Sequence, residues 1–315
     1  EIGRLAAVPA LGGSDAARER PANDGEGLRL AVLANPLADD EEAAPAGPSR
    51  AEQLWATCRG EGPADGSSEM YAASSAYWAR APADVGGMLG GLDWIHAPDV
   101  DASLAFIDTL RQAAIVRNPS RREGVPHDPS AARVAGAAPD DIIYRGAALD
   151  CGAGIGRVSS SVLLRRFEDV ELVEASADFL AAAAAALPAR RVRATHCAPL
   201  QEFDPPAGAL YALVWVQWVL NYLTDADLVA FLRRCAAALE PSGAIVVKET
   251  VVRPDASGAP REFVADEEDS SVTRTHEHFE RLFGRAGLAI ARSDLQPGLP
   301  TAVLPVRMYA LVRET

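Results

Sequence analysis

The stretch Ala147-Ala148-Leu149-Asp150-Cys151-Gly152-Ala153-Gly154-Ile155-Gly156-Arg157 decides the fold. An apolar run ends in an acid, then breaks into three glycines at alternate positions. Val158 to Phe167 continues as a helix-compatible segment. The reading is strand, tight loop, helix. Glycines remove Cβ atoms from the loop, so a ligand can approach its backbone closely. The helix start beyond it presents unpaired N–H groups. The order is G-x-G-x-G followed by Arg157, not the G-x-G-x-x-G of dinucleotide-binding turns, which sets an NAD-dependent oxidoreductase aside. A second apolar run, Val170 to Val173, ends in Glu174, about 20 residues past the loop, where an acid can hold a ribose diol.

From Ala147 onward the pattern alternates. Strands are expected near 147–150, 170–174, 191–196, 211–217 and 244–249, with two more near 288–293 and 306–313. Helices are expected near 157–167, 177–187, 225–239 and 273–286. The Ala181–Ala186 run suits a helix, because Ala is the best helix former. Pro241-Ser242-Gly243 marks a stop before the next buried strand. Such alternation predicts an α/β domain, a mostly parallel sheet with helices on both faces.

The N-terminal half reads differently. Residues 1–68 are rich in Ala, Gly, Pro, Asp and Glu, a composition that predicts a largely disordered extension. Leu28–Leu33 and Ala51–Arg59 are the exceptions, the second a candidate helix carrying Leu54 and Trp55. Residues 69–117 are expected to form a helical cap. It comprises an aromatic helix with Met70, Tyr71, Tyr77 and Trp78, the Gly-rich loop Val85–Gly91, and a helix over Asp101–Val116. Residues 118–146 read as a surface insertion ahead of the core at 147–315.

The chain has 315 residues, is 49% hydrophobic and 23% charged, and carries a net charge of −14. That charge argues against sequence-independent nucleic-acid binding and favours basic partners. No apolar run reaches the roughly 18 residues of a membrane span. The first residues fit neither a signal nor a transit peptide, although the chain begins at Glu1 rather than Met, so an upstream segment stays open. Cys58, Cys151, Cys197 and Cys235 form no C-x-x-C pair, which suggests reduced thiols in a cytosolic or nuclear protein, expected as a monomer. His276 and His278, two apart, read as surface residues, and no metal is expected.

The acid–GxGxG stretch resembles motif I of class I S-adenosylmethionine (AdoMet) methyltransferases. Four further stretches narrow the resemblance: Gly87-Met88-Leu89-Gly90-Gly91, Trp215-Val216-Gln217-Trp218 with Leu223-Thr224-Asp225, Lys248-Glu249-Thr250, and Asp269-Ser270-Ser271-Val272-Thr273-Arg274. Together they resemble the protein α-N-terminal methyltransferases over residues 70–313. Those enzymes methylate the free α-amine of chains beginning X-Pro-Lys or X-Pro-Arg after Met removal. The resemblance implies a Rossmann-like seven-stranded sheet with an antiparallel last strand, AdoMet as cofactor, and basic N-terminal tails as partners. It assigns Gly152, Gly154, Arg157, Glu174, Ala175, Leu200, Gln201 and Gln217 to AdoMet, with Arg157 at its carboxylate and Glu174 at its ribose. It assigns Tyr77, Leu89, Ile95, Trp218, Thr250, Asp266, Asp269 and Ser271 to the substrate channel, and Asp269, Tyr222 and Thr250 to catalysis. Acids in the groove suit a Lys or Arg at the third substrate position. Asp269-Ser270-Ser271 also suits a plain helix N-cap.

Three departures stand out. Asn221-Tyr222 replaces the family's Gly-His, whose histidine is a second base, and Lys248-Glu249-Thr250 replaces Lys-Asp-Asn, whose asparagine holds the α-amine. A channel tyrosine near the C-terminus has Leu304 as its candidate replacement. The altered amine pocket keeps two alternatives open: a methyltransferase for a small amine or another protein site, and a weakly active regulatory partner of an active homologue.

Overall fold

A computed structural model describes residues 47–113, 115–116, 144–255 and 258–314. The expectations for Leu28–Leu33 and for most of the 118–146 insertion lie outside these residues. In chain order the helices and strands are α1 (Arg50–Arg59), α2 (Gly66–Trp78), α3 (Val85–Met88), α4 (His96–Gln112), β1 (Tyr144–Cys151), α5 (Arg157–Ser161), β2 (Phe167–Glu174), α6 (Ala177–Ala186), β3 (Val192–Cys197), β4 (Tyr211–Gln217), α7 (Asp225–Ala237), β5 (Leu239–Thr250), β6 (Phe263–Asp266), β7 (Ser271–Arg274), α8 (His276–Arg285), β8 (Leu288–Leu295) and β9 (Val306–Arg313).

Seven strands form one sheet in the order β3-β2-β1-β4-β5-β9-β8. The first five are parallel, and β9 runs antiparallel to both β5 and β8. The strand order reverses at β1, with β2 on one side and β4 on the other. At such a switch point the loops leaving the carboxyl ends diverge and open a crevice. Strand β4 is buried at all seven positions, because both sheet faces are covered. One apolar cluster lies under α7 and α8, with Leu228, Phe231, Phe279 and Phe283. The other includes Phe106, Ile107, Leu163 and Leu180, from α4 to α6.

Several boundaries move. The expected cap boundary at residue 69 falls inside α2, and the 118–146 insertion gives up its last three residues to β1. The Arg157–Phe167 helix ends at Ser161 and turns through Leu163–Arg165, so that Phe167 begins β2 opposite Tyr144. The Gly-rich loop contains the short α3, where Gly87 lies against the Pro82 carbonyl; a Cβ there would meet that oxygen at 2.0 Å.

Asp269-Ser270-Ser271 is not a helix N-cap. Asp269 and Ser270 lie in the connection of the β6–β7 hairpin and Ser271 begins β7, while α8 is capped by Thr275, whose side chain accepts the His278 N–H. Val272 and Thr273 are β-branched and suit a strand. His278 is buried rather than exposed, with Nε2 2.6 Å from Asp225 Oδ2. His276 sits 3.0 Å from the Tyr309 hydroxyl.

Helix α1 starts with a capping box, in which Ser49 and Glu52 satisfy each other's backbone N–H groups. It buries Leu54, Trp55 and Cys58 with Met70 and Val272. Trp55 stacks on Phe263 of the hairpin at 5.0 Å and tilts against His278 at 5.1 Å. This cluster joins α1 to the acidic hairpin, so Trp55→Ala should cost about 3 kcal/mol of stability. Urea unfolding checks it; a loss under about 0.5 kcal/mol, typical of a surface site, contradicts it.

Candidate active site

The glycine loop takes shape from three left-handed residues, Gly152 (φ 71°), Gly154 (φ 53°) and Gly156 (φ 74°). A Cβ on Gly154 would sit 2.7 Å from Met88 Sδ, so a side chain there has to displace that thioether. The loop borders a cavity of about 400 Å³, a size suited to a small-molecule ligand. All eight residues expected to hold AdoMet line it: Gly152, Gly154, Arg157, Glu174, Ala175, Leu200, Gln201 and Gln217. The wall opposite comes from α2, through Tyr71, Ser74, Ser75 and Trp78.

Glu174 stands at the end of β2 with both carboxylate oxygens on backbone N–H groups, Gly154 to Oε2 and Ser176 to Oε1, each at 2.8 Å. Asp150 is buried beneath the loop and accepts the Ser159 hydroxyl at 2.7 Å; burial pushes its carboxyl up to about 6. Arg157 is buried on the cavity wall, which excludes a surface role. Its Nη1 donates to Asp99 Oδ2 at 2.7 Å, and its guanidinium faces the Trp218 ring at 5.5 Å. These features fit AdoMet: a Cβ-free cradle, an acid for the ribose and a cation for the carboxylate.

The amine side adjoins this cavity at Trp218 and Tyr222, which both line it. Trp218 has φ 54°, a strained value for a bulky residue. Its backbone N–H is tied to the Lys248 carbonyl at 3.0 Å. Ser270, in the hairpin, has φ 58°. Two strained non-glycine residues thus flank the same place. The Tyr222 hydroxyl donates to Asp269 Oδ2 at 2.6 Å, and the Ser271 N–H donates to Asp269 Oδ1 at 2.9 Å. Asp269 is 1% exposed; burial, reinforced by the nearby Asp266 charge, raises its carboxyl to about 6. Asp266 is half-exposed at the end of β6.

Thr250 ends β5, buried, and its carbonyl accepts from Asn221 Nδ2 at 3.4 Å. The neighbouring Glu249 accepts the Leu220 N–H at 3.0 Å and Asn221 Nδ2 at 3.2 Å; burial pushes it up to about 7. Tyr77 is buried within the electrostatic reach of Asp269, Glu268 and Asp266, and its ring meets Trp78 edge-on at 5.4 Å. Trp78 in turn meets the Tyr222 ring edge-on at 5.9 Å. Leu89, Ile95 and Leu304 are buried and do not line the cavity. Among the described residues no group of three or more His, Cys, Asp or Glu is arranged to hold a metal ion, and no helix is long and apolar enough to cross a membrane.

Sequence reasoning missed Asp99, His96 and Glu249. The available signal was Lys248-Glu249 at the end of Ile245–Val247: charges inside a fully buried strand require partners. Lys248 is 0% exposed and finds Asp99 at 2.5 Å.

A switch-point crevice with this loop defines an AdoMet-dependent methyltransferase. The family model described as AdoMet dependent proline di-methyltransferase matches residues 66–126 and 135–312. The chain belongs to that family. It is 36% identical over 269 residues to alpha N-terminal protein methyltransferase 1 of Arabidopsis thaliana, covering 84% of this chain and 87% of that protein. It is 33% identical to N-terminal Xaa-Pro-Lys N-methyltransferase 1 of Homo sapiens, covering 77% of this chain and 95% of that protein. A solved SAM-dependent methyltransferase from Leishmania major superposes with a TM-score of 0.61 at 32% identity, over 77% of this chain and 82% of that one.

Gly154→Ala tests the cavity. The new Cβ would collide with Met88 Sδ at 2.7 Å in a left-handed conformation. AdoMet affinity should fall at least about tenfold by calorimetry while circular dichroism stays native. Unchanged affinity would place the cofactor elsewhere.

Proposed function

We propose that the chain transfers methyl groups from AdoMet to the free α-amine of proteins whose N-terminus reads X-Pro-Lys or X-Pro-Arg after Met removal. One contact carries this reading: the Tyr222–Asp269 hydrogen bond, which joins the cofactor cavity to the acidic hairpin. AdoMet, when bound, supplies a methyl group activated on a positively charged sulfur. The protein has to deliver an uncharged amine with its lone pair aligned. A free α-amine has an ordinary pKa of about 7.7–8.0, so a modest push bares the lone pair.

Asp269 is the group for that push. Its carboxyl, raised to about 6, is ionised at neutral pH yet more basic than an ordinary aspartate. Tyr222 is a donor to Asp269 and stays protonated, because burial and the Asp269 charge raise its phenol well above the usual range. It therefore orients the base and is not a second one. Thr250 borders the same place through Asn221. Trp218 offers an aromatic face suited to a proline ring. Asp266 and Asp269 supply negative charge for a Lys or Arg at the third position, and Ser271 fixes Asp269 through its backbone N–H. Tyr77 and Trp78 extend an aromatic wall from α2. Four free thiols support a reducing compartment, the cytosol or nucleus.

Asp269→Asn should lower kcat on a Ser-Pro-Lys-Arg peptide by about 10²–10⁴-fold and leave AdoMet affinity within twofold. In the native enzyme kcat/KM should rise with pH through about 6, as Asp269 loses its proton. That lower inflection should vanish in the variant. Stopped assays across pH check both; an inflection that persists in the variant assigns it to another group.

A further inference from the structure

Beneath the cofactor cavity lies a cluster whose centre comes from outside the α/β sheet. Asp99, on α4, is 0% exposed, and its carboxylate takes three contacts. Lys248 Nζ lies 2.5 Å from Oδ1, Gln217 Nε2 donates to Oδ1 at 2.9 Å, and Arg157 Nη1 donates to Oδ2 at 2.7 Å. Lys248 Nζ also donates to the Asp99 carbonyl at 3.0 Å, and to Ser103 Oγ at 2.8 Å one turn further along α4. Trp215 Nε1 donates to Gln217 Oε1 at 3.0 Å, which fixes that amide's orientation. Burial alone would raise the Asp99 carboxyl, but Lys248 and Arg157 hold it below the ordinary range; Lys248, lowered to about 8 by burial, stays charged at neutral pH.

Arg157 and Gln217 are also cavity walls. Arg157 uses one nitrogen, Nη1, for both its side-chain hydrogen bonds, to Asp99 and to His96 Nδ1 at 3.3 Å. Its Nε and Nη2 donors have no hydrogen-bond acceptor among the described residues. The His96 ring is kept neutral by burial and by Arg157, so its Nδ1 can accept. A guanidinium fastened at one nitrogen presents its other edge in a fixed plane, and two parallel N–H groups match a carboxylate.

We infer that Asp99 is a positioning residue for the cofactor's amino-acid end: it fastens Arg157 by Nη1 so that the Nε–Nη2 edge receives the AdoMet carboxylate. The inference rests on the AdoMet reading of the cavity and adds an element outside the sheet. Helix α4, outside the sheet, then contributes to cofactor binding through Asp99. Asp150 also lies within electrostatic reach of Arg157 but spends Oδ2 on Ser159, so it balances charge without fastening the fork. Asn at position 99 would keep the shape and leave two cations sharing one neutral amide.

The test compares two ligands by calorimetry on the full chain. S-adenosylhomocysteine carries the amino-acid end; 5′-methylthioadenosine lacks it. The native protein should prefer the first. Asp99→Asn should reduce that preference by about tenfold or more, with methylthioadenosine affinity within about twofold of native. On charge alone, removing an acid would favour a carboxylate, so the two explanations have opposite signs. Asp99→Asn/Lys248→Met removes one charge of each sign and avoids an unpaired buried lysine, so it carries the test if the single variant does not fold. It should lose the preference as well. A native preference retained in the double variant, or equal weakening of both ligands, overturns the inference. A native protein that binds neither ligand would instead overturn the cofactor reading itself.

Discussion

Arg274 carries a positive charge with none of its surface in water, and the segments that bring Tyr222 to Asp269 are assembled around it. Its Nε donates to Asp225 at 2.8 Å, Nη2 to the Leu223 carbonyl at 2.6 Å, and Nη1 to the Leu220 and Val272 carbonyls at 3.2 and 3.3 Å. One guanidinium therefore fastens the segment after β4 to strand β7. The first carries Trp218 and Tyr222, the second follows Ser270 and Asp269. The 2.6 Å Tyr222–Asp269 contact exists because these two segments are held in register from below. His278 braces the second oxygen of Asp225, and Trp55 of α1 packs against its ring. A buried ion pair of this kind is a poor source of net stability but is costly to break on one side, so it specifies geometry.

The cofactor side follows from a different constraint. Strand β1 has parallel neighbours whose connections leave in opposite directions, so the sheet must open where β1 ends. The three glycines occupy that opening with positive φ, which other residues adopt only with strain. Glu174 and Gln217 stand at the ends of β2 and β4, the two strands flanking the opening. The fold thus brings Glu174, Gln217, Arg157 and the glycine loop together around one cavity. The two halves touch at Trp218, which the Arg157 guanidinium faces from the cofactor side.

The sheet and the crevice beside the glycine loop were legible because both rest on local rules. Apolar strands, glycine spacing and an acid at a fixed distance are written in one dimension, and all eight residues expected at the cofactor line one cavity. The hairpin was not legible as such. Asp269-Ser270-Ser271 has N-cap chemistry, and only pairing of Phe263–Asp266 with Ser271–Arg274 makes it a strand connection. His278 looked exposed because helical spacing says nothing about a partner 53 residues away. Asp99 was invisible for the same reason, since its partners Arg157 and Lys248 are 58 and 149 residues distant. Helix α1 was the intermediate case: Leu54 and Trp55 suggested it, but its stability comes from burial against the hairpin.

The most direct measurement is mass spectrometry, with fragmentation, of a Ser-Pro-Lys-Arg-led peptide incubated with the protein and AdoMet, beside an N-acetylated twin. The account predicts added methyl groups on the free peptide alone, all located on the α-nitrogen. Methylation of the acetylated twin, or of the lysine side chain, would contradict it. So would no transfer to either peptide by protein that binds AdoMet.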